Sequence, residues 1–148
     1  MPIIKGLVTE EGGLVTVSLG WSRARVRKLR REHRRVPARL EAVALLDTGA
    51  EVTCLDSRLI EELELPFDGV VLAKAPALGD VTFAAKYAAS LTIIHTSGRT
   101  DEHLVINDIA ILELPLDLIG YQAVIGRDVL SRCLFLYNGI GERFALKY

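Results

Sequence analysis

Glycine-bearing turns recur along this chain at intervals of about ten residues, and between them lie short runs rich in Val, Ile, Leu and Thr. That spacing predicts an all-β domain with helix as a minor component. Residues 3–9 and 14–19 read as two strands joined across Glu10-Glu11-Gly12-Gly13, whose glycines suit a tight reversal. Further strands are expected at 40–46, 52–55, in two long runs that fold back within 70–94, and at 104–106, 112–118 and 122–125. A C-terminal hairpin, 133–137 with 143–148, turns at Asn138-Gly139-Ile140-Gly141. Short helices are expected after Asp56 or Ser57 and over 127–132. With 148 residues, half of them apolar, the chain has material for one core, so a single domain over 1–148 is expected.

Charge is spread unevenly. The formal net charge is −1, yet residues 22–39 hold nine Arg and Lys against the single acid Glu32. This basic insert reads as a helix or a long exposed loop closed by Pro37. It can attract phosphates, but only Trp21 at its edge could stack a base. A solvated arm, or a helix lying on the protein's own acidic surface, is therefore favoured over nucleic-acid binding. Cys54 and Cys133 are too few for a disulfide framework or a zinc set, and His33, His95 and His103 do not cluster with them, so neither metal nor cofactor is expected. No apolar run is long enough to span a bilayer, and Met1-Pro2-Ile3-Ile4-Lys5 lacks a signal peptide's pattern, so no membrane partner and a cytoplasmic location are expected.

The run Ala42-Val43-Ala44-Leu45-Leu46-Asp47-Thr48-Gly49-Ala50-Glu51 places an acid directly after an apolar strand and before a glycine turn. Ending a buried strand in a carboxylate costs desolvation unless the group is hydrogen-bonded, paired or shares a proton. Thr48 and Gly49 offer a hydroxyl and accessible backbone amides to meet that need. Taken alone, the run equally fits an ordinary Asp-Thr-Gly chain reversal. A second segment, Ala123-Val124-Ile125-Gly126-Arg127-Asp128-Val129-Leu130, repeats the order of apolar strand, glycine and charged helix start.

Together these two segments resemble the retropepsin-like aspartic proteases, whose pattern is apolar-apolar-Asp-Thr-Gly-Ala and, later, apolar-apolar-Gly with a short helix. The resemblance extends loosely over residues 14–148. It implies a closed, barrel-like β fold with one or two short helices and a flap hairpin. One Asp-Thr-Gly per chain implies a homodimer in which Asp47 of each subunit is catalytic and an extended peptide is the substrate. By position, Thr48 would bond across the dimer, Gly49 would let backbone approach substrate, and Ala50 and Gly126 would complete the supporting loops. Glu51 and Arg127 would form a supporting ion pair. Val124 and Ile125 would contribute to substrate binding, and Ala75, Pro76, Ala77, Leu78, Gly79 and Asp80 would form the flap tip. That tip has fewer glycines than viral members, which leaves a noncatalytic peptide-binding or scaffolding module as the alternative. The C-terminal hairpin resembles that of cellular relatives and would split Leu134, Leu136, Phe144 and Leu146 between core and dimer interface. Cys54 reads as a small core side chain.

Overall fold

The structure, a computed structural model, describes residues 1–75 and 79–148. The first two strands, β1 (Ile3–Thr9) and β2 (Gly12–Trp21), form the expected hairpin, with Gly12 in the left-handed region at φ +119°. Every second residue of β2 points inward: Val15, Val17 and Leu19 are buried. β3 (Leu40–Leu46) pairs antiparallel with β2 from Leu14↔Leu45 to Leu19↔Leu40, and it buries Ala42, Ala44 and Leu46 by the same alternation.

The basic insert is both of the things its sequence allowed. Ser22 Oγ accepts from Arg25 N at 3.4 Å and starts helix α1 (Arg23–Arg31), which buries Leu29. The chain then leaves the helix through His33, at φ 53°, and runs without regular structure to Arg39.

Past β3 come β4 (Cys54–Asp56), α2 (Ser57–Glu62), β5 (Phe67–Ala75), β6 (Gly79–Ile93) and β7 (Leu104–Leu114). Asp56, 5 % exposed, caps α2 through Arg58 N (3.1 Å) and accepts from Asp117 N (2.7 Å), which satisfies a buried carboxylate twice. β7 is one strand where two, 104–106 and 112–118, were expected. Asn107 and Asp108 imitate a break in sequence; both are exposed, and the ladder with β6 shifts register across them, from Ala89↔Ile109 to Leu91↔Ile106, without ending the strand. Pro115 does end the strand, and Leu116–Ile119 form a 3₁₀ turn closed by Gly120 at φ +83°.

The chain finishes with β8 (Ala123–Ile125), α3 (Arg127–Leu130), β9 (Leu134–Asn138) and β10 (Arg143–Lys147). Six strands close on themselves in the order β2-β3-β8-β4-β7-β6, with β6 returning to β2 at Val17↔Ile93. The result is an all-β closed barrel whose interior holds Leu55, Leu91, Ile93, Ile111 and Ile125. β5 projects from it as a hairpin with β6, while β1, β10 and β9 extend the sheet on the other side. In the terminal hairpin Phe144 and Leu146 are buried, whereas Leu134 and Leu136 are 54 % and 57 % exposed. Among the described residues, no helix is long and apolar enough to cross a membrane.

Candidate active site

β8 lies between β3, to which it is parallel, and β4, to which it is antiparallel. The chain from β3 to β4 must therefore cross over the end of β8, and residues 47–53 are that crossing. Gly126, the first residue past β8, sits directly beneath it. A Cβ there would lie 2.6 Å from the Val52 carbonyl carbon, closer than any real side chain tolerates, so glycine is required by proximity.

Hydrogen bonds then set the Asp47 loop. Asp47 N donates to Ile125 O (3.0 Å), which prolongs the β3–β8 ladder by one residue. Gly49 N donates to Asp47 Oδ1 (2.8 Å) and Ala50 N to Asp47 O (3.2 Å). The Gly49 position also places a would-be Cβ only 3.0 Å from Asp47 Oδ1, so a side chain would crowd the carboxylate. Among the described residues, the other Asp47 oxygen accepts no hydrogen bond, and the Thr48 hydroxyl makes none. Asp47 is half-buried while Thr48 and Gly49 are exposed. A carboxylate with one oxygen fixed by an amide and the other open can take or hold a proton on water or substrate.

From below, the start of α3 braces the crossing. Arg127 N donates to Ala50 O (2.9 Å) and Asp128 N to Glu51 O (3.2 Å). The Arg127 guanidinium donates to Thr48 O at 2.8 Å. The expected ion pair between Glu51 and Arg127 does not form in the chain, because the arginine is engaged by a backbone carbonyl and Glu51 meets α3 through its own carbonyl. The side chains that hold the crossing are Thr53 and Asp128, to which the sequence reading gave no role. Thr53, fully buried, donates its hydroxyl to Asp128 Oδ1 (2.8 Å) and its amide to Oδ2 (3.0 Å), and its Oγ1 accepts from Gly126 N (3.2 Å). A lone hydroxyl inside the apolar run Val52-Thr53-Cys54-Leu55 was the available signal, since a buried hydroxyl needs a partner.

Cys54 is the small core side chain expected. Burial pushes its thiol up to about 12, and the Asp128 and Asp47 carboxylates add to the rise. Val124 and Ile125, expected to contribute to substrate binding, are 7 % and 0 % exposed in the single chain. β8 is paired on both edges and covered on both faces, and these residues support the Asp47 loop from within.

The segment expected to form the flap falls in the β5–β6 hairpin. Ala75 pairs with Gly79 after a register shift at Ala73. Of the expected tip, Pro76, Ala77 and Leu78 lie outside the described residues, and Ala75, Gly79 and Asp80 are described only as strand ends. Further down the hairpin Leu72 pairs with Phe83, and these side chains are 65 % and 76 % exposed, an apolar surface the sequence reading did not single out.

The chain is similar in structure to a retropepsin-like aspartic protease from Rickettsia conorii, at a TM-score of 0.58 and 15 % identity, covering 99 % of this chain and 90 % of that one. The protease of EIAV, solved with an inhibitor, aligns at a TM-score of 0.39 and 18 % identity over 62 % of this chain and 76 % of that one. The retroviral protease-like domain of Ddi1 from Leishmania major aligns at 0.39 and 12 % identity over 85 % and 82 %. No curated protein matches the sequence significantly. The retroviral aspartyl protease family pattern matches residues 9–136, a span that takes in the Asp47 crossing, the β5–β6 hairpin and the Gly126 support. With that pattern matched over most of its length and a barrel of the retropepsin type, the chain belongs to the retroviral aspartyl protease family.

Proposed function

We propose that the protein is an aspartic endopeptidase that acts as a homodimer, with Asp47 of each subunit meeting at the two-fold axis over an extended peptide. What supports this most is the Asp47 carboxylate itself, half-exposed at the end of a buried strand, with one oxygen held by Gly49 N and the other open. Thr48 adds to it, because its exposed hydroxyl has no bond within the described chain and suits a contact across the axis.

Two carboxyls about 3 Å apart cannot both be charged at ordinary cost, so the pair holds one proton between them. The ionised member takes a proton from a water, which attacks the peptide carbonyl. The protonated member donates to the developing oxyanion, and a proton then passes to the leaving amine as the bond breaks. No acyl-enzyme forms. The β5–β6 hairpin would close over the peptide, its exposed Leu72 and Phe83 supplying apolar contact and its strand ends backbone hydrogen bonds. Two free thiols and no disulfide among the described residues accord with a reducing cytoplasm.

Asp47→Asn is expected to lower kcat/KM for peptide cleavage by about 10²–10⁴-fold with an unchanged circular dichroism spectrum. A statine-type inhibitor should block the wild-type turnover. Undiminished cleavage by Asp47→Asn would sink the mechanism, and absence of any turnover in the wild-type dimer would favour a noncatalytic peptide-binding module.

A further inference from the structure

Arg39, the residue before β3, is a fixed cation without a counterion among the described residues. Its side chain lies flat across the β2 backbone at Gly20, where an added Cβ would sit 2.8 Å from Nη1 and 3.0 Å from Cγ. Nε donates to Ser18 Oγ (2.8 Å), Nη1 to Ser90 Oγ (2.7 Å) and Nη2 to Ser18 O (2.8 Å). Ser90 is itself anchored by donating to Trp21 O (2.8 Å). All these acceptors are neutral, and no carboxylate of the described residues lies within ion-pair distance. Burial holds the guanidinium below the ordinary arginine value, the direction expected of a charge lacking compensation.

Above Arg39 opens a cleft of about 390 Å³ between α1 and the β2–β6–β7 end of the barrel. Arg23 and Arg30 of α1 stand at its rim, and neither pairs with a carboxylate of the described residues. Lys28 and Arg34 meet Glu32, and Arg35 meets Glu64; of the insert's six remaining cations, Arg23, Arg30 and Arg39 line the cleft. Val26, Val36 and Val105 give it an apolar wall. A pre-oriented guanidinium, two more without a carboxylate partner and an apolar wall together suit a carboxylate carried on a chain with apolar neighbours.

We propose that this cleft is a docking site for an acidic segment of a partner polypeptide, one carboxylate seating on Arg39 and its neighbours meeting Arg23 and Arg30. Nucleic acid fits less well. Trp21 is half-buried with its Nε1 donating to Leu63 O (3.0 Å), so it provides no stacking platform. A nine-residue helix is about 13 Å long and meets few phosphates, and beyond the insert the chain holds eighteen acids against nine bases, which repel a long polyanion. The site is remote from Asp47: the seven residues of β3 separate them, roughly 26 Å of extended chain. Binding here is therefore read without catalysis, and it stands or falls apart from the protease reading.

The test is fluorescence anisotropy of the full chain with a labelled peptide of alternating Glu and Leu, against a Gln-for-Glu copy, a DNA duplex and phosphatidylserine vesicles. The Glu peptide should bind in a salt-sensitive manner and the Gln copy should not. Arg39→Met and Arg30→Glu should each weaken binding about tenfold or more. Should Arg39→Met fail to fold, Arg30→Glu decides, since no hydrogen bond of the barrel involves its side chain. Equal binding of the Gln copy, tighter binding of duplex or vesicles, or unchanged affinity in Arg30→Glu would overturn the proposal. So would a wild-type dimer that Arg30→Glu dissolves, which would make the occupant a second copy of the chain.

Discussion

Thr53 does more for the site than its size suggests, because one buried hydroxyl both donates to Asp128 and accepts from Gly126 N. Thr53→Val keeps the shape but orphans a buried amide and removes a bond to a charged acceptor. It should cost about 1–3 kcal/mol in chemical denaturation, and a loss of only a few tenths would show that the crossing is held otherwise. Cys54 makes a pH-dependent prediction. Its thiol rises from 9.0 to about 12 on folding, so below pH 9 it is neutral in both states and adds no pH dependence. Above that the unfolded chain ionises first, and the native state loses stability as pH climbs toward the folded value. The melting temperature should accordingly fall more steeply above about pH 9 in the wild type than in Cys54→Ala. Parallel curves for the two would contradict this. At this scale Asp47 and Gly49 were legible in sequence because their turn is local, and Gly126 because it repeats the order of apolar strand, glycine and charged helix start, although the Val52 backbone that requires it lies far off in sequence. The Thr53–Asp128 pair was not, since it joins residues 75 positions apart, and the Glu51–Arg127 pairing failed because a backbone carbonyl reached the guanidinium first.

Among the elements, β3 was readable to its last residue: apolar alternation defines it, Pro37 precedes it and Asp47 ends it. β7 was not, because exposed polar residues on the outside of a barrel look like a loop when the partner strand is unknown. The hairpin β9–β10 shows how alternation can be right without assigning faces. Phe144 and Leu146 went inward and pack with Phe135, whose ring stands 6.1 Å from that of Phe144, while Leu134 and Leu136 remain outside on an edge strand. An exposed apolar edge invites pairing. Leu136→Glu should shift sedimentation from dimer to monomer and abolish cleavage, with the monomer's stability altered by less than about 0.5 kcal/mol. A dimer that survives the change would move the interface elsewhere.

For the molecule as a whole, the closure of six strands was beyond local reading, because β6 meets β2 and β8 slips between β3 and β4 through contacts far apart in sequence. That closure nevertheless explains the site, since only a chain crossing over β8 brings a strand-end aspartate to the surface with a glycine beneath it. The barrel is also polarised, with Asp47 at one end of β3 and the unpaired Arg39 at the other. One chain presents one such aspartate, and the catalytic account requires two. A crystal structure of the assembled dimer bears on it most directly, through the separation of the two Asp47 carboxylates. The account predicts about 3 Å, close enough to share a proton. Carboxylates facing separate surfaces, with no common groove between them, would contradict it.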